Sequence, residues 1–321
     1  MRVVSLLPSA TEIVAALGAA DHLVGVTHEC DHPHVVASRA RVTACRVNAN
    51  APPGAIDAEV RALTGGGTSL YELDESLIAA LRPDLIITQA LCEVCAVMES
   101  DVRALAARLT PVPGVVSLSA TTIDGVFDDI ARVASAISLE SEAEELLAGL
   151  RARLTAVHST LKAARAPRPR VAVIEWSDPV FAGGHWVPEQ VRRAGGVDVL
   201  GEAGEHSRVF TLEAIAAVAP EIVIVAPCGY SLDRASDEAS ALLNEPAWSF
   251  LRATQVWALD ANAFTSRPGP RLVDGIEALA RIFNPALFSP LDGDHARLIH
   301  SPALVPAPVR APVPSPALTA C

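Results

Sequence analysis

Four of the six cysteines in this 321-residue chain, Cys30, Cys92, Cys95 and Cys228, directly follow short apolar runs that read as buried strands. The same loops carry His28, His32 and Trp176. Thiolates and imidazoles are the soft and borderline donors that hold transition metals. Cys92 and Cys95 form a Cys-x-x-Cys pair expected to open a helix, whose free amides favour thiolate over thiol. The spacing leaves open contact with a ligand or metal, redox exchange, and plain packing. His28, Cys30 and His32 alternate at period two, so in extended backbone they point the same way and could chelate one ion. A solvated loop before Pro33 is the other reading.

Trp176, Phe181, His185 and Trp186 fall within eleven residues, in a chain with only 4% aromatics, and such rings pack flat ligands or line dry pockets. Gln89, directly after the apolar run Leu85 to Thr88, joins the candidate lining. Arg267 precedes Pro268-Gly269-Pro270 and could hold a ligand carboxylate, amide or phosphate, while Arg271 could instead pair within its own lobe. Gly65-Gly66-Gly67-Thr68 lacks the spacing and lysine of a phosphate loop and reads as a flexible rim.

Residues this scattered share a pocket only if the fold gathers them. Arg2 to Leu6, Leu23 to Thr27, Leu85 to Thr88 and Val115 to Leu118 read as strands, with helices at Ser9 to Leu17 and Met98 to Leu109. Strand and helix in alternation imply a parallel sheet, and in such sheets the loops at the carboxyl ends of the strands meet at one crevice. Ser9-Ala10-Thr11-Glu12 reads as a capping box. From Thr122 to about Arg165 no strand signal occurs, and Leu146, Leu147, Leu150, Leu154 and Leu161 recur at helical spacing. A second series follows at Val171 to Glu175, a helix from Pro188, Ile222 to Ala226, Gln255 to Leu259, and a last helix from Pro270 to Phe283. The fold class expected is α/β: two Rossmann-like lobes with parallel sheets, residues 1–118 and 167–284, joined by a long helix within 119–166. The prolines after Asn284 predict a disordered tail over 285–321.

A net charge of −12 provides no basic face of the kind nucleic acid requires. Half the residues are hydrophobic, yet no apolar run approaches the roughly 20 residues needed to span a bilayer, so no membrane insertion is expected. The opening Met1-Arg2-Val3-Val4-Ser5 passes straight into a strand without a signal-like apolar region, which predicts a cytoplasmic protein with reduced thiols.

Several segments match a known family in order. Val4-Ser5-Leu6-Leu7-Pro8-Ser9-Ala10-Thr11-Glu12, Asp31-His32-Pro33, Arg82-Pro83-Asp84-Leu85-Ile86, Phe181-Ala182-Gly183-Gly184, Ala194-Gly195-Gly196, Thr211-Leu212-Glu213 and Arg267-Pro268-Gly269-Pro270-Arg271 resemble the substrate-binding proteins of vitamin B12 and ferric-siderophore importers. Within them, His28-Glu29-Cys30-Asp31, Leu91-Cys92-Glu93-Val94-Cys95, Glu175-Trp176 and Pro227-Cys228-Gly229 look most like a cytosolic branch of cobalamin-binding proteins. The resemblance implies a small-molecule ligand, a corrinoid, held between two lobes, and an ABC importer as partner. It also implies one acidic docking residue per lobe; Glu213 matches the second, whereas the first falls on Ser76 beside Glu75. The family's tyrosine at the Asp-Tyr-Pro turn is His32 here, and a tryptophan before the final arginine loop is Ala263.

The first reading is therefore a non-enzymatic binding protein with a cysteine-rich crevice for a corrinoid or related metal chelate, with an axial imidazole from His28, His32 or His185. The second is a zinc or copper protein with Cys92, Cys95, Cys30 or Cys228, and His28 as ligands. A third, an enzyme, would use a thiol among Cys30, Cys92 and Cys95 with His28 as base and Glu29 or Glu175 beside it.

Overall fold

The computed structural model describes residues 1–66, 68–90, 97, 99–291 and 293–302. In the first lobe, Val3–Ser5 lies at the centre of a five-stranded parallel sheet, with Leu23–Val26 and then Ala40–Arg41 on one side. Leu85–Gln89 and then Gly114–Leu118 lie on the other. Val3–Ser5 and Leu85–Gln89 are buried along their whole length, as an inner parallel strand covered on both faces must be. A separate antiparallel ribbon, Thr43–Cys45 with Tyr71–Leu73, brackets the helix Pro53–Gly65.

The second sheet is mixed rather than wholly parallel. Its inner strands Arg170–Ser177, Ile222–Val225 and Gln255–Leu259 are parallel, and antiparallel strands close both edges. On one side stand Val180–Ala182 and Arg208–Val209, and on the other Ala296–His300. This last strand departs from the expected tail: Ala296–His300 pairs with Val256–Leu259, and the Asp260 N–H donates to His295 O at 2.8 Å. The segment Ala296-Arg297-Leu298-Ile299-His300 contains no proline, so it can complete a ladder. The proline-rich stretch 303–321 lies outside the described residues.

The expected linker is two helices, Ile123–Ile137 and Glu140–Ala163, separated where Ser138 takes the left-handed conformation at φ 59°. The second, 24 residues long, spans about 36 Å at 1.5 Å per residue. Its buried stripe Leu147, Leu150, Leu154 and Val157 belongs to one apolar core that also contains Val3 and Ile87 of the first sheet and Val171, Val173 and Ile224 of the second. Arg153, on the same helix, forms ion pairs with Asp274 and Glu277 of Leu272–Phe283. The lobes therefore share a core along the strut.

The helix at the N-terminus runs Pro8–Ala16 and carries no capping box: its cap is Leu7, with no side-chain hydrogen bond. Pro8 starts the helix a residue early, and Glu12 turns to two arginines of the second lobe instead, leaving Ser9 Oγ buried without a partner.

One buried carboxyl sets a pH dependence. Burial pushes Asp198 up to about 6, against the Leu200 and Gly201 N–H groups that donate to its Oδ1 at 2.9 and 2.7 Å. An unfolded aspartate titrates near about 3.9, so between about pH 4 and 6 the folded chain holds the extra proton and stability falls as pH rises. Asp198→Asn keeps the Oδ1 acceptor. It is expected to flatten that fall and to stabilise the protein at pH 7 by on the order of 1–2 kcal/mol, read from thermal midpoints across the window.

Candidate functional site

The loops at the carboxyl ends of the two sheets meet, and charge holds them together. Arg267, 7% exposed, donates to both carboxylate oxygens of Asp31 at 2.5 and 3.2 Å, to Glu29 O at 3.1 Å, and to Glu12 Oε1 at 3.3 Å. Arg271, four residues on at the cap of Leu272–Phe283, forks onto Glu12 at 2.8 and 2.5 Å. Burial opposes charge on Asp31 and Arg267 alike, but each outweighs that for the other: Asp31 is held below the usual carboxylate range and Arg267 above its own. Neither arginine plays the part expected of it. The Arg267 guanidinium is already engaged by protein acceptors, and Arg271 forms its ion pair across the lobes, with the Asn262 carbonyl as its partner in its own.

Two further contacts cross the gap. Trp176 Nε1 donates to Pro53 O at 3.3 Å, and Arg234, stacked on the Tyr230 ring at 3.6 Å, donates to Ala49 O and Ala51 O. The 49–53 segment thereby docks the helix Pro53–Gly65 on the second lobe. Gly65 ends that helix, so the expected glycine rim is partly helical.

The His28, Cys30, His32 triplet does not converge. Cys30 points into the core, where its Sγ meets Thr11 and Thr27 hydroxyls at 3.1 Å each, and burial raises its thiol pKa. A protonated, buried thiol is neither an open ligand nor a nucleophile, which corrects the ligand, metal and catalytic roles expected of Cys30. The chain turns too tightly between Thr27 and Cys30 for period-two alternation, with Cys30 N–H bonded to Thr27 O. His28 Nδ1 lies 2.8 Å from Thr43 Oγ1, its ring 5.8 Å from that of Tyr71, beside a cavity of about 10 Å³ that also touches Val97. His32 is exposed; partial burial and then the Arg271 charge lower its pKa.

In the second lobe, Trp176 and Phe181 are cross-strand neighbours, both half-buried, and Tyr230 meets Trp176 edge-on at 5.6 Å. Trp186, expected to face a ligand, belongs to the core instead: it is 6% exposed and its Nε1 donates to Thr265 O at 2.7 Å. His185 stacks on it, held at φ 51°, with Nε2 3.1 Å from His206 Nδ1. Burial and then His206 lower the His185 pKa. Cys228 is exposed after Ile222–Val225, its N–H donating to Glu175 O, and Gln89 is buried at the end of its strand. Cys92 and Cys95 lie outside the described residues. Among the described residues, no three His, Cys, Asp or Glu side chains gather as a metal site, so His28, Cys30 and Cys228 do not form the expected zinc or copper centre by themselves. No described helix is long and apolar enough to cross a membrane.

Sequence reasoning missed Glu12, Asp31 and His206. A lone glutamate in an otherwise uncharged helix, Pro8–Ala16, and two arginines four residues apart were the available signals for the ion cluster.

The chain is 25% identical over 281 residues to the vitamin B12-binding protein of Vibrio cholerae serotype O1, covering 86% of each. It is 24% identical over 299 residues to the uncharacterized ABC transporter substrate-binding lipoprotein YvrC of Bacillus subtilis, covering 89% of this chain and 81% of that one. A periplasmic heme-binding protein from Pseudomonas aeruginosa superimposes with a TM-score of 0.71 at 24% identity, over 94% of this chain and 98% of its own. A family model described as periplasmic binding protein matches residues 3–263: the chain belongs to that family, and the cytoplasmic placement expected from its first residues is overturned.

Proposed function

We propose that this protein is the substrate-binding component of an ABC importer and that it carries a corrinoid between its two lobes. The observation that supports this best is the meeting of the two lobes' loops, where the half-buried Trp176, cross-strand from Phe181, donates to Pro53 O and Arg267 pairs with Asp31 in the loop that carries His28 and His32. Flat rings suit a macrocycle, and imidazole suits its axial metal position. Relatives that bind vitamin B12 and heme point to metal-centred tetrapyrroles as the ligand class. Because Trp176 and Arg234 already touch the 49–53 segment, ligand entry requires those contacts to open.

For the importer, Glu213 is exposed in the first turn of Leu212–Ala217 and is the docking residue we assign to the second lobe. On the first lobe Ser76 is exposed and Glu75 pairs with Arg108 at 2.8 Å, so Glu75 docks only by exchanging that partner.

Titration with hydroxocobalamin and, separately, with hemin tests the reading. Hydroxocobalamin is expected to quench tryptophan fluorescence and shift its visible bands as imidazole replaces cobalt-bound water, and Trp176→Ala is expected to weaken binding by about tenfold or more. Saturable binding of hemin alone would replace the corrinoid with heme. Binding of neither would remove the tetrapyrrole reading.

A further inference from the structure

A groove of about 950 Å³ runs along the helix Glu140–Ala163, and its lining shares no residue with the crevice. Arg151, Thr155, His158 and Lys162 recur there at i, i+4, i+7 and i+11, which puts four polar side chains in one stripe. Arg165 and Arg168 follow just beyond the helix end, and Arg192 and Arg193, from the last turn of Val187–Arg193, complete the lining. Six permanent cations thus meet in one groove of a chain whose net charge is −12.

Their counter-charges are few. Glu189 takes Arg192 and Arg193, and Arg193 also reaches Asp124. Arg151, Lys162, Arg165 and Arg168 have no carboxylate within ion-pair distance among the described residues; Arg151 lies over the Phe127 ring at 5.4 Å and Arg168 donates to Gly196 O at 2.9 Å. Gathered like charges repel one another and attract a multivalent anion. Guanidinium forks match phosphate oxygens in particular. Asp124, whose carboxylate is taken by Arg193, also lines the groove, and Phe127, Leu154 and Leu161 are available to an organic group.

We infer that this groove is a second ligand site, for a small molecule bearing an oligophosphate, with the phosphates against Lys162, Arg165 and Arg168. Its volume is that of a small-molecule site. A flat membrane needs a projecting cationic face rather than a recessed one, which favours the small polyanion.

Calorimetric titration of the full chain with tripolyphosphate and with ATP at low ionic strength tests this. Both are expected to bind and to weaken as sodium chloride is raised, since exposed charges are screened. Tighter binding of ATP would assign the organic part to Phe127 and Leu154, and equal binding would assign recognition to the phosphates alone. Lys162 and Arg165 are exposed, so the variant Lys162→Glu, Arg165→Glu should keep the wild-type thermal midpoint while losing about tenfold or more in affinity for both ligands. Failure of both ligands to bind overturns the inference, as does affinity untouched by the double variant. Binding confined to an RNA oligonucleotide or to anionic vesicles, with neither small polyanion competing, overturns it as well.

Discussion

Glu12→Ala is expected to lower the unfolding free energy by about 3–5 kcal/mol, the cost of breaking a buried ion pair from one side. Glu12 is 4% exposed and carries two guanidiniums, Arg271 in a bidentate fork and Arg267 at 3.3 Å. Without it, Arg271 keeps only the Asn262 carbonyl, while Arg267 keeps Asp31 and the Glu29 carbonyl. The change should appear in urea unfolding as a lower midpoint with unchanged slope. Glu12→Gln retains one acceptor oxygen and should cost less. A double cycle with Arg271→Ala isolates the pair: once both partners are gone, the loss should be smaller than the sum of the single losses. A loss below about 1 kcal/mol for Glu12→Ala would place the cluster with exposed pairs, whose charges water serves equally well. The cluster spans the two lobes, so the variant should also loosen the crevice.

That cluster marks the limit of what could be read from the chain. Strands such as Leu85–Gln89 and Ile222–Val225 are legible because inner parallel strands must be apolar throughout, and the strut because Leu147, Leu150 and Leu154 repeat at helical spacing. The break at Ser138 is not, since its neighbours are as helix-compatible as the helices on either side. Which way a chemically able side chain points is decided by partners far away in sequence. Cys30 is claimed by Thr11 and Thr27, Trp186 by the Thr265 carbonyl, and Arg267 by an aspartate 236 positions away. Residue type marks these as candidates, and tertiary contact removes them. Trp176, Phe181, His28 and His32 stand on strand ends and loops and stay the candidates of the proposed site.

A chain ending at Asn284 is expected to unfold several degrees below one ending at Pro302. The segment between them reads from composition as a tail, but Ala296–His300 is the edge strand of the second sheet. Phe288 and Leu291 pack on the shared core, Ile299 packs on the core of the second lobe, and Ala296 is 5% exposed. Fully burying a large apolar side chain stabilises by about 1.5–3 kcal/mol, so three partly buried ones contribute on the order of 3 kcal/mol together. Truncation also bares the outer edge of Gln255–Leu259, a row of unpaired amides and carbonyls beside Trp257 that invites pairing with a second chain. The shortened chain should therefore both melt earlier, by calorimetry, and aggregate on heating, by light scattering. Equal midpoints would mean that Gln255–Leu259 holds its place without its antiparallel neighbour, and that the strands before it suffice to close the second lobe.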